Sequence, residues 1–91
     1  MSQDEPWLQE MRERFLARLP AERAALVALH DAGDRQGIVD RAHKLAGIAG
    51  TLGAPAVGEA ALALDQRALA EADHAAEFAA LIAAIDAAIG A

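Results

Sequence analysis

The fold of this chain is decided by residues 34–55, which read DRQGIVDRAHKLAGIAGTLGAP. Apolar residues recur here at three- and four-residue intervals, a spacing that predicts a helix with one face in a core. Asp34 is a good N-cap, and the breakers after Leu52 predict that the helix ends there. The face expected in the core comprises Ile38, Ala42, Leu45, Ala49 and Leu52.

His43 lies on the other side of this helix, in a narrow outward stripe with Gly47 and Gly50. Each interior glycine should cost the helix about 1 kcal/mol relative to alanine, although 26 of the 91 residues are alanine. On one interpretation, the glycines allow close packing of another helix, or the helix simply ends early. On the other, bare backbone lets a protein or a phosphoryl group approach His43, and the outward placement favours this second interpretation.

The N-terminal part of the chain predicts two helices separated by a proline. The first runs from Pro6 to Leu19, and Pro20 breaks it and starts a second helix. Gly33 is the expected left-handed stop of that second helix. The apolar face of the first helix is predicted to hold Trp7, Met11, Phe15 and Leu19.

The C-terminal part predicts two more helices, from Pro55 to about Ala70 and from His74 to Ile89, the latter capped by Asp73. The apolar face of the first is Val57, Ala61, Leu64 and Ala68, and that of the second is Phe78, Leu81, Ile82, Ile85 and Ile89. Because the connections are short, successive helices should pack antiparallel. We therefore expect residues 1–91 to form one all-α domain, an antiparallel four-helix bundle with a short additional N-terminal helix.

Composition excludes several classes of function. The chain has no cysteine, which removes disulfide scaffolds, thiolate zinc sites and cysteine nucleophiles. A formal net charge of −6 makes nucleic acid an unfavourable partner. No apolar run approaches the ~20 residues of a membrane span, and no signal-peptide pattern opens the chain. We expect a cytoplasmic monomer that binds neither a membrane nor nucleic acid.

The chemistry expected of His43 is nucleophilic, because a neutral, exposed imidazole is available for attack at neutral pH. A phosphoryl group on the ring would add about two negative charges, so a nearby cation is useful. Lys44, the only lysine among eight basic residues, is adjacent and has a long, flexible side chain. The sequence therefore favours a phosphoryl-accepting histidine.

Residues 42–54, which read AHKLAGIAGTLGA, resemble the signature of histidine-containing phosphotransfer (HPt) domains. That signature is a helix with His-x-Leu-(Lys)-Gly, then small residues and a Leu/Phe-Gly break before the next helix. The resemblance covers essentially the whole chain and implies that His43 is the phosphorylated residue and that Gly47 keeps it accessible. It further implies that Val39 and Ala46 contribute to a docking surface, and that Gly50 keeps access open.

The chain departs from this family at one position. The family usually places lysine three residues after the histidine, where this sequence has Ala46, and the lysine is Lys44 instead. Either Lys44 or a cation of the partner is thus expected to neutralise the phosphoryl group. The family also often has Gln or Glu about twenty-two residues after the histidine, orienting the ring, and Asp65 with its neighbour Gln66 occupies that spacing.

The resemblance implies a phosphorelay intermediate with no kinase or ATPase activity of its own. It would accept a phosphoryl group from a receiver-domain aspartyl phosphate and pass it to another receiver. The partners implied are response-regulator receiver domains, a hybrid histidine kinase, or both. No cofactor or metal is expected on this chain, and Mg²⁺ is expected on the receiver.

Three alternatives stay open. A helical adaptor would leave His43 without a chemical role. A histidine-kinase dimerisation module usually has an acidic residue after its histidine and a proline five residues on, where this chain has Lys44 and Ile48. A metal-binding bundle would have to combine His30, His43 and His74 from three helices, or pair His74 with Glu77.

Overall fold

The computed structural model describes residues 6–90, and these residues form four helices without a strand. The helices are α1 (Pro6–Asp31), α2 (Arg35–Ile48), α3 (Pro55–Leu69) and α4 (Ala75–Ile89). Helix α1 packs against α2 and α4, and α3 also packs against α2 and α4, so the four enclose one core. None of these helices is long and apolar enough to cross a membrane.

The prediction that Pro20 separates two helices is wrong, because α1 runs without interruption from Pro6 to Asp31. Proline inside a helix costs about 3 kcal/mol by removing a hydrogen bond and crowding the preceding turn. Pro20 is exposed, which leaves the freed carbonyl group on the solvent side. Phe15, Leu19 and Leu26 are buried on both sides of it, and each such burial is worth about 1.5–3 kcal/mol. Core burial therefore outweighs the local penalty, and the short additional N-terminal helix is the first half of α1.

The predicted apolar face of the first helix is only half correct. Phe15 and Leu19 are buried, but Trp7 is 61% and Met11 41% exposed. At 1.5 Å per residue, α1 is about 39 Å long and each other helix only about 21–23 Å, so the first turns of α1 extend beyond the helices that cover its middle. Leu8, one position after Trp7, packs against the core in their place.

The predicted helix ends are mostly confirmed. The Asp34 carboxylate accepts a hydrogen bond from the Gly37 backbone N–H at 2.9 Å and caps α2. Asp73 accepts one from the Ala75 backbone N–H at 3.2 Å, but α4 begins at Ala75 and its N-cap is His74, so the predicted cap lies one residue too early. Gly33 has φ +69°, the left-handed conformation expected of a stop after α1.

Helix α2 ends at Ile48, four residues before the predicted Leu52. Residues 49–53 form turns, in which the Ala54 N–H returns to the Ala49 carbonyl oxygen at 2.8 Å. The expected core face of this segment is nevertheless fully buried, from Ile38 to Leu52. The predicted faces of α3 and α4 are also correct, except that Phe78 and Ile82 are half-buried and Ile89 is exposed.

Two ion pairs tie α1 to its neighbours. Arg23 donates to both carboxylate oxygens of Asp86 on α4, at 2.7 and 3.3 Å. This hydrogen bonding, together with the negative charge of Asp86, raises the pKa of Arg23 above its ordinary value. Arg41 of α2 donates to Glu22 at 3.0 Å. Both pairs are part-buried, and they fix α1 against the α2 and α4 sides of the bundle.

Candidate functional site

Helix α2 presents His43 to solvent, as the outward stripe in the sequence predicts. The His43 side chain is 78% exposed. Gly47 and Gly50 are also exposed, and a Cβ built on either one meets no atom within 4 Å. A side chain at either position would therefore not clash with a neighbouring helix. Gly47 leaves bare helix backbone one turn from His43, whereas Gly50 belongs to the turns that follow the helix.

The His43 ring meets a carboxylate from the next helix. Its Nδ1 lies 3.2 Å from Oδ2 of Asp65, which is on α3 and only 7% exposed. Asp65 is the one charged residue within the core of the described part of the chain. A carboxylate only accepts hydrogen bonds, so this contact favours the tautomer with the proton on Nδ1. Nε2 is then the ring nitrogen that keeps a free electron pair.

A third glycine brings these two helices together. A Cβ on Gly58 of α3 would lie 3.4 Å from the Gly50 backbone nitrogen and 3.6 Å from the Ala49 side chain. It would also lie 3.8 Å from the carbonyl oxygen of Ala46. Gly58 was not among the predicted site residues, although its signal was the same as at Gly47: a glycine in a helix otherwise rich in alanine. The close approach of α2 and α3 places Asp65 within reach of His43.

A shallow groove of about 450 Å³ surrounds the ring on the side away from the glycines. Val39 is 8% exposed and forms an apolar wall of this groove. Leu69, which was not among the predicted site residues, is 66% exposed and completes the apolar side. The polar lining of the groove is His43, Asp65, Asp40 and Lys44.

The other predicted site residues differ in how close they lie to the His43 ring. Lys44 is exposed and lines the groove beside His43. Ala46 is half-buried against α3, where its carbonyl oxygen faces Gly58. Gln66 is exposed one position after Asp65, and Asp65 is the residue that reaches the ring. Of the two candidates Asp65 and Gln66, the one that contacts the ring is therefore Asp65, twenty-two residues after His43.

The other two histidines each contact a nearby residue of the bundle. His30 stacks on Phe78, with ring centroids 4.2 Å apart. His74 Nδ1 lies 3.2 Å from the Ala72 carbonyl oxygen, and Glu77 faces Arg67 at 3.8 Å. Within residues 6–90, no group of three or more His, Cys, Asp or Glu side chains is placed to hold a metal ion.

The exposed histidine, its buried carboxylate and the open glycines agree with a comparison against protein families. A family model described as "Hpt domain" matches residues 10–91. The chain belongs to the Hpt family. This match confirms the resemblance seen in the sequence. Hpt domains carry out histidine phosphotransfer in two-component signalling and are phosphotransfer modules rather than kinases or ATPases. Searches of curated proteins and of solved structures found no match for this Hpt domain.

Proposed function

We propose that this Hpt domain is a phosphorelay intermediate that uses His43 as its phosphoacceptor. It takes a phosphoryl group from the aspartyl phosphate of one receiver domain and passes it to another. The observation that carries the proposal is the contact between the exposed His43 ring and the buried Asp65 carboxylate, 3.2 Å apart. This contact leaves one ring nitrogen engaged and the other available.

The transfer step follows from this tautomer. The Nε2 electron pair attacks the phosphorus, an N–P bond forms, and the bond from phosphorus to the aspartyl oxygen breaks, which releases the carboxylate of the partner. The ring keeps its Nδ1 proton and becomes positively charged, and the Asp65 carboxylate stabilises that charge. Passing the phosphoryl group to a second receiver reverses each of these changes.

The surroundings of His43 support docking of a partner at the ring. Gly47 and Gly50 leave open space on one side, and Leu69 and Val39 provide apolar surface on the other. Half-buried Ala46 keeps the edge between α2 and α3 low. We assign access to these small residues and apolar contact to Leu69.

The charge of the phosphoryl group needs a cation. Lys44 lies in the groove, one residue from the ring, and we assign it a contribution to phosphate neutralisation. The position that usually carries lysine in the family holds Ala46, so the partner supplies the rest of the charge. In this proposal the chain itself needs no cofactor, and Mg²⁺ is bound by the receiver.

The proposal extends to the organisation of the protein. We infer one domain over residues 1–91, acting as a cytoplasmic monomer alongside receiver domains or a hybrid kinase. We also infer that successive helices run in opposite directions, as their short connections favour. The contacts between α2 and α3 support this, because Asp65 meets His43 while the earlier Gly58 meets the later Gly50.

The test is phosphotransfer from a panel of receiver domains that have been phosphorylated with acetyl phosphate. Wild type should take up acid-labile label from at least one receiver, and His43→Gln should take up none. His30→Gln and His74→Gln are matched controls, because both remove an imidazole elsewhere in the bundle, and they should label like wild type. Label on His43→Gln, or no uptake by wild type from any receiver, would reject the proposal.

A further inference from the structure

A second cluster of basic side chains lies where α1 ends and α2 and α4 begin. A cavity of about 240 Å³ opens there, and its lining consists of His30, Gly33, Arg35, Ile38 and His74. His30 belongs to the last turn of α1, Arg35 is the first residue of α2, and His74 is the N-cap of α4. Three helices therefore each contribute one nitrogen-bearing side chain to the same cavity.

This cavity, which we call the end cavity, is separate from the groove around His43. The two have no lining residue in common. Arg35 precedes His43 on α2 by about 12 Å along the helix axis, at 1.5 Å per residue. A small ligand in the end cavity would therefore leave the phosphoacceptor ring uncovered.

Both imidazole rings of the end cavity are held by contacts with other parts of the bundle. The His30 ring stacks on Phe78 with an angle of 16° between the ring planes. His74 is half-buried, and its Nδ1 lies 3.2 Å from the Ala72 carbonyl oxygen. A carbonyl oxygen only accepts hydrogen bonds, so this contact favours a proton on Nδ1 and leaves Nε2 to bind a ligand. Protonation of the ring then makes Nε2 a donor as well.

The carboxylates near the end cavity do not neutralise it. Asp34 accepts a hydrogen bond from the Gly37 backbone N–H at 2.9 Å, and Asp73 accepts one from the Ala75 backbone N–H at 3.2 Å. Asp31 at the end of α1 is exposed. None of these three side chains is part of the lining.

The two arginines at this end of the bundle differ in their contacts. Arg67 of α3 donates to the Asp73 carbonyl oxygen at 3.1 Å and faces Glu77 of α4 at 3.8 Å. The exposed Arg35 side chain forms no ion pair or hydrogen bond with any residue in the range 6–90. In a chain with a formal net charge of −6, the end cavity thus holds one uncompensated positive charge and two imidazoles.

We propose that the end cavity binds a free tetrahedral dianion of the phosphate class. Arg35 supplies a permanent charge, and His30 and His74 supply N–H donors that become charged on protonation. The volume is below the roughly 300–1,000 Å³ of sites for drug-sized ligands, which favours a small ion. A metal ion is disfavoured, because Arg35 would repel it and two imidazoles are fewer than the three or four protein ligands usual for zinc.

The bound anion would join the end of α1 to the starts of α2 and α4, so it should stabilise the bundle. The proposal does not depend on phosphotransfer. It adds a ligand site to a domain whose expected chemistry is confined to His43.

The test is an NMR titration of the folded domain with sodium sulfate, followed through amide and imidazole proton shifts. Sulfate keeps its double charge between about pH 6 and about pH 8, so any pH dependence comes from the protein. Sodium chloride holds the ionic strength constant, and inorganic phosphate at about pH 8 is compared with sulfate at the same pH. Arg35→Gln and His74→Gln alter the end cavity. Arg18→Gln and His43→Gln are matched controls, because they remove an exposed arginine and an exposed imidazole elsewhere.

Wild type should bind sulfate with a Kd on the order of 1 mM at about pH 6. Binding should be about tenfold weaker at about pH 8, because imidazoles lose their charge over this range. Arg35→Gln and His74→Gln should each weaken binding at about pH 6 by about fivefold or more, and the controls should stay within about twofold of wild type. Sulfate should raise the unfolding midpoint of wild type and the controls more than that of the two end-cavity variants. Phosphate at about pH 8 should bind about as tightly as sulfate.

Equal sulfate affinities in the end-cavity variants and the controls would overturn the proposal, as would shifts that sodium chloride alone reproduces. Loss of binding in His43→Gln alone would assign the anion to the phosphoacceptor groove instead. Zinc chloride that shifts the His30 and His74 resonances where sulfate does not would assign the end cavity to a metal. If His74→Gln fails to fold, Arg35→Gln still decides the question, because its side chain is exposed. Each of these failures leaves the proposed function intact, since uptake of label from a receiver tests His43 separately.

Discussion

Asp65, buried in α3, holds its Oδ2 3.2 Å from Nδ1 of His43, which α2 exposes to solvent. The Asp65 side chain is 10% exposed and the His43 side chain 78%. The pair therefore spans the boundary between the core and the surface. One partner is fixed by packing, and the other faces the solution in which a phosphoryl donor arrives.

Asp65→Leu should separate function from stability. Removing a charge-assisted hydrogen bond of about 1.5–3 kcal/mol should slow transfer at least tenfold. The free energy of unfolding should hold or rise, because an apolar residue in a buried site often stabilises more than a buried charge. Phosphotransfer rates and urea denaturation test the two effects. Asp65→Asn keeps an acceptor without the charge and should give an intermediate rate, and wild-type rates in both variants would contradict a role for Asp65.

Gly47→Gln should block transfer without unfolding the helix. A side chain at this position enters open space, and replacing an interior glycine should stabilise α2 by about 0.5–1 kcal/mol. The same side chain would cover the approach to His43, so we expect at least a tenfold slower transfer, measured beside thermal unfolding. Gly47→Ala is the control, because alanine should also stabilise α2 but is too small to cover the approach to His43. Loss of folding in either variant would instead support a packing role.

Gly58→Val should destabilise the bundle by about 1–3 kcal/mol, because its branched side chain would push α3 from the backbone at Gly50. It should also slow transfer, since the same displacement moves Asp65 away from His43. Ala63→Val, at an exposed position of α3, controls for the lower helix propensity of valine. Equal unfolding midpoints for the two variants would mean that the close approach at Gly58 carries no constraint.

Lys44→Ala should slow phosphoryl acceptance only about two- to fivefold, because an exposed lysine contributes little more than 1 kcal/mol to an interaction with an anion. Quench-flow measurement of acceptance at low and high salt would test this, and the difference from wild type should shrink at high salt. An unchanged rate at low salt would assign charge neutralisation to the partner alone.

Pro20→Ala should raise the free energy of unfolding by about 1–3 kcal/mol. Alanine restores the N–H that proline lacks, in a helix that already runs through this position. Transfer kinetics should not change. Urea denaturation is the measurement, and a lower stability of the variant would show that α1 depends on a bend imposed by the proline.

Most of the fold could be predicted from the sequence because its signals are local. Asp34 marks a helix end through its side chain, and Gly33 and Pro55 do so through their backbone preferences; the structure confirms all three. Pro20 misled the prediction, since a local penalty cannot be weighed from sequence against the burial of Leu19 and Leu26. The exposure of Trp7 could not be predicted either, because it depends on which helices are long enough to cover α1.

The site could be predicted only where it lies on one helix. Helical periodicity is sufficient to place His43 and Gly47 on an outward face. The contact with Asp65 came only from resemblance to a family, because it depends on the register between two helices. Leu69 and Gly58 were not predicted for the same reason, because the role of each depends on a second helix.

The two members of the His43–Asp65 pair belong to different helices, so the separation of their side chains also measures how closely α2 and α3 lie. The imidazole proton resonances of His43 can therefore report on bundle packing in solution, without any added probe. A substitution deep between the two helices would change this signal before the domain unfolds. The His43–Asp65 distance therefore affects both the reactivity of the exposed ring and the packing between the two helices.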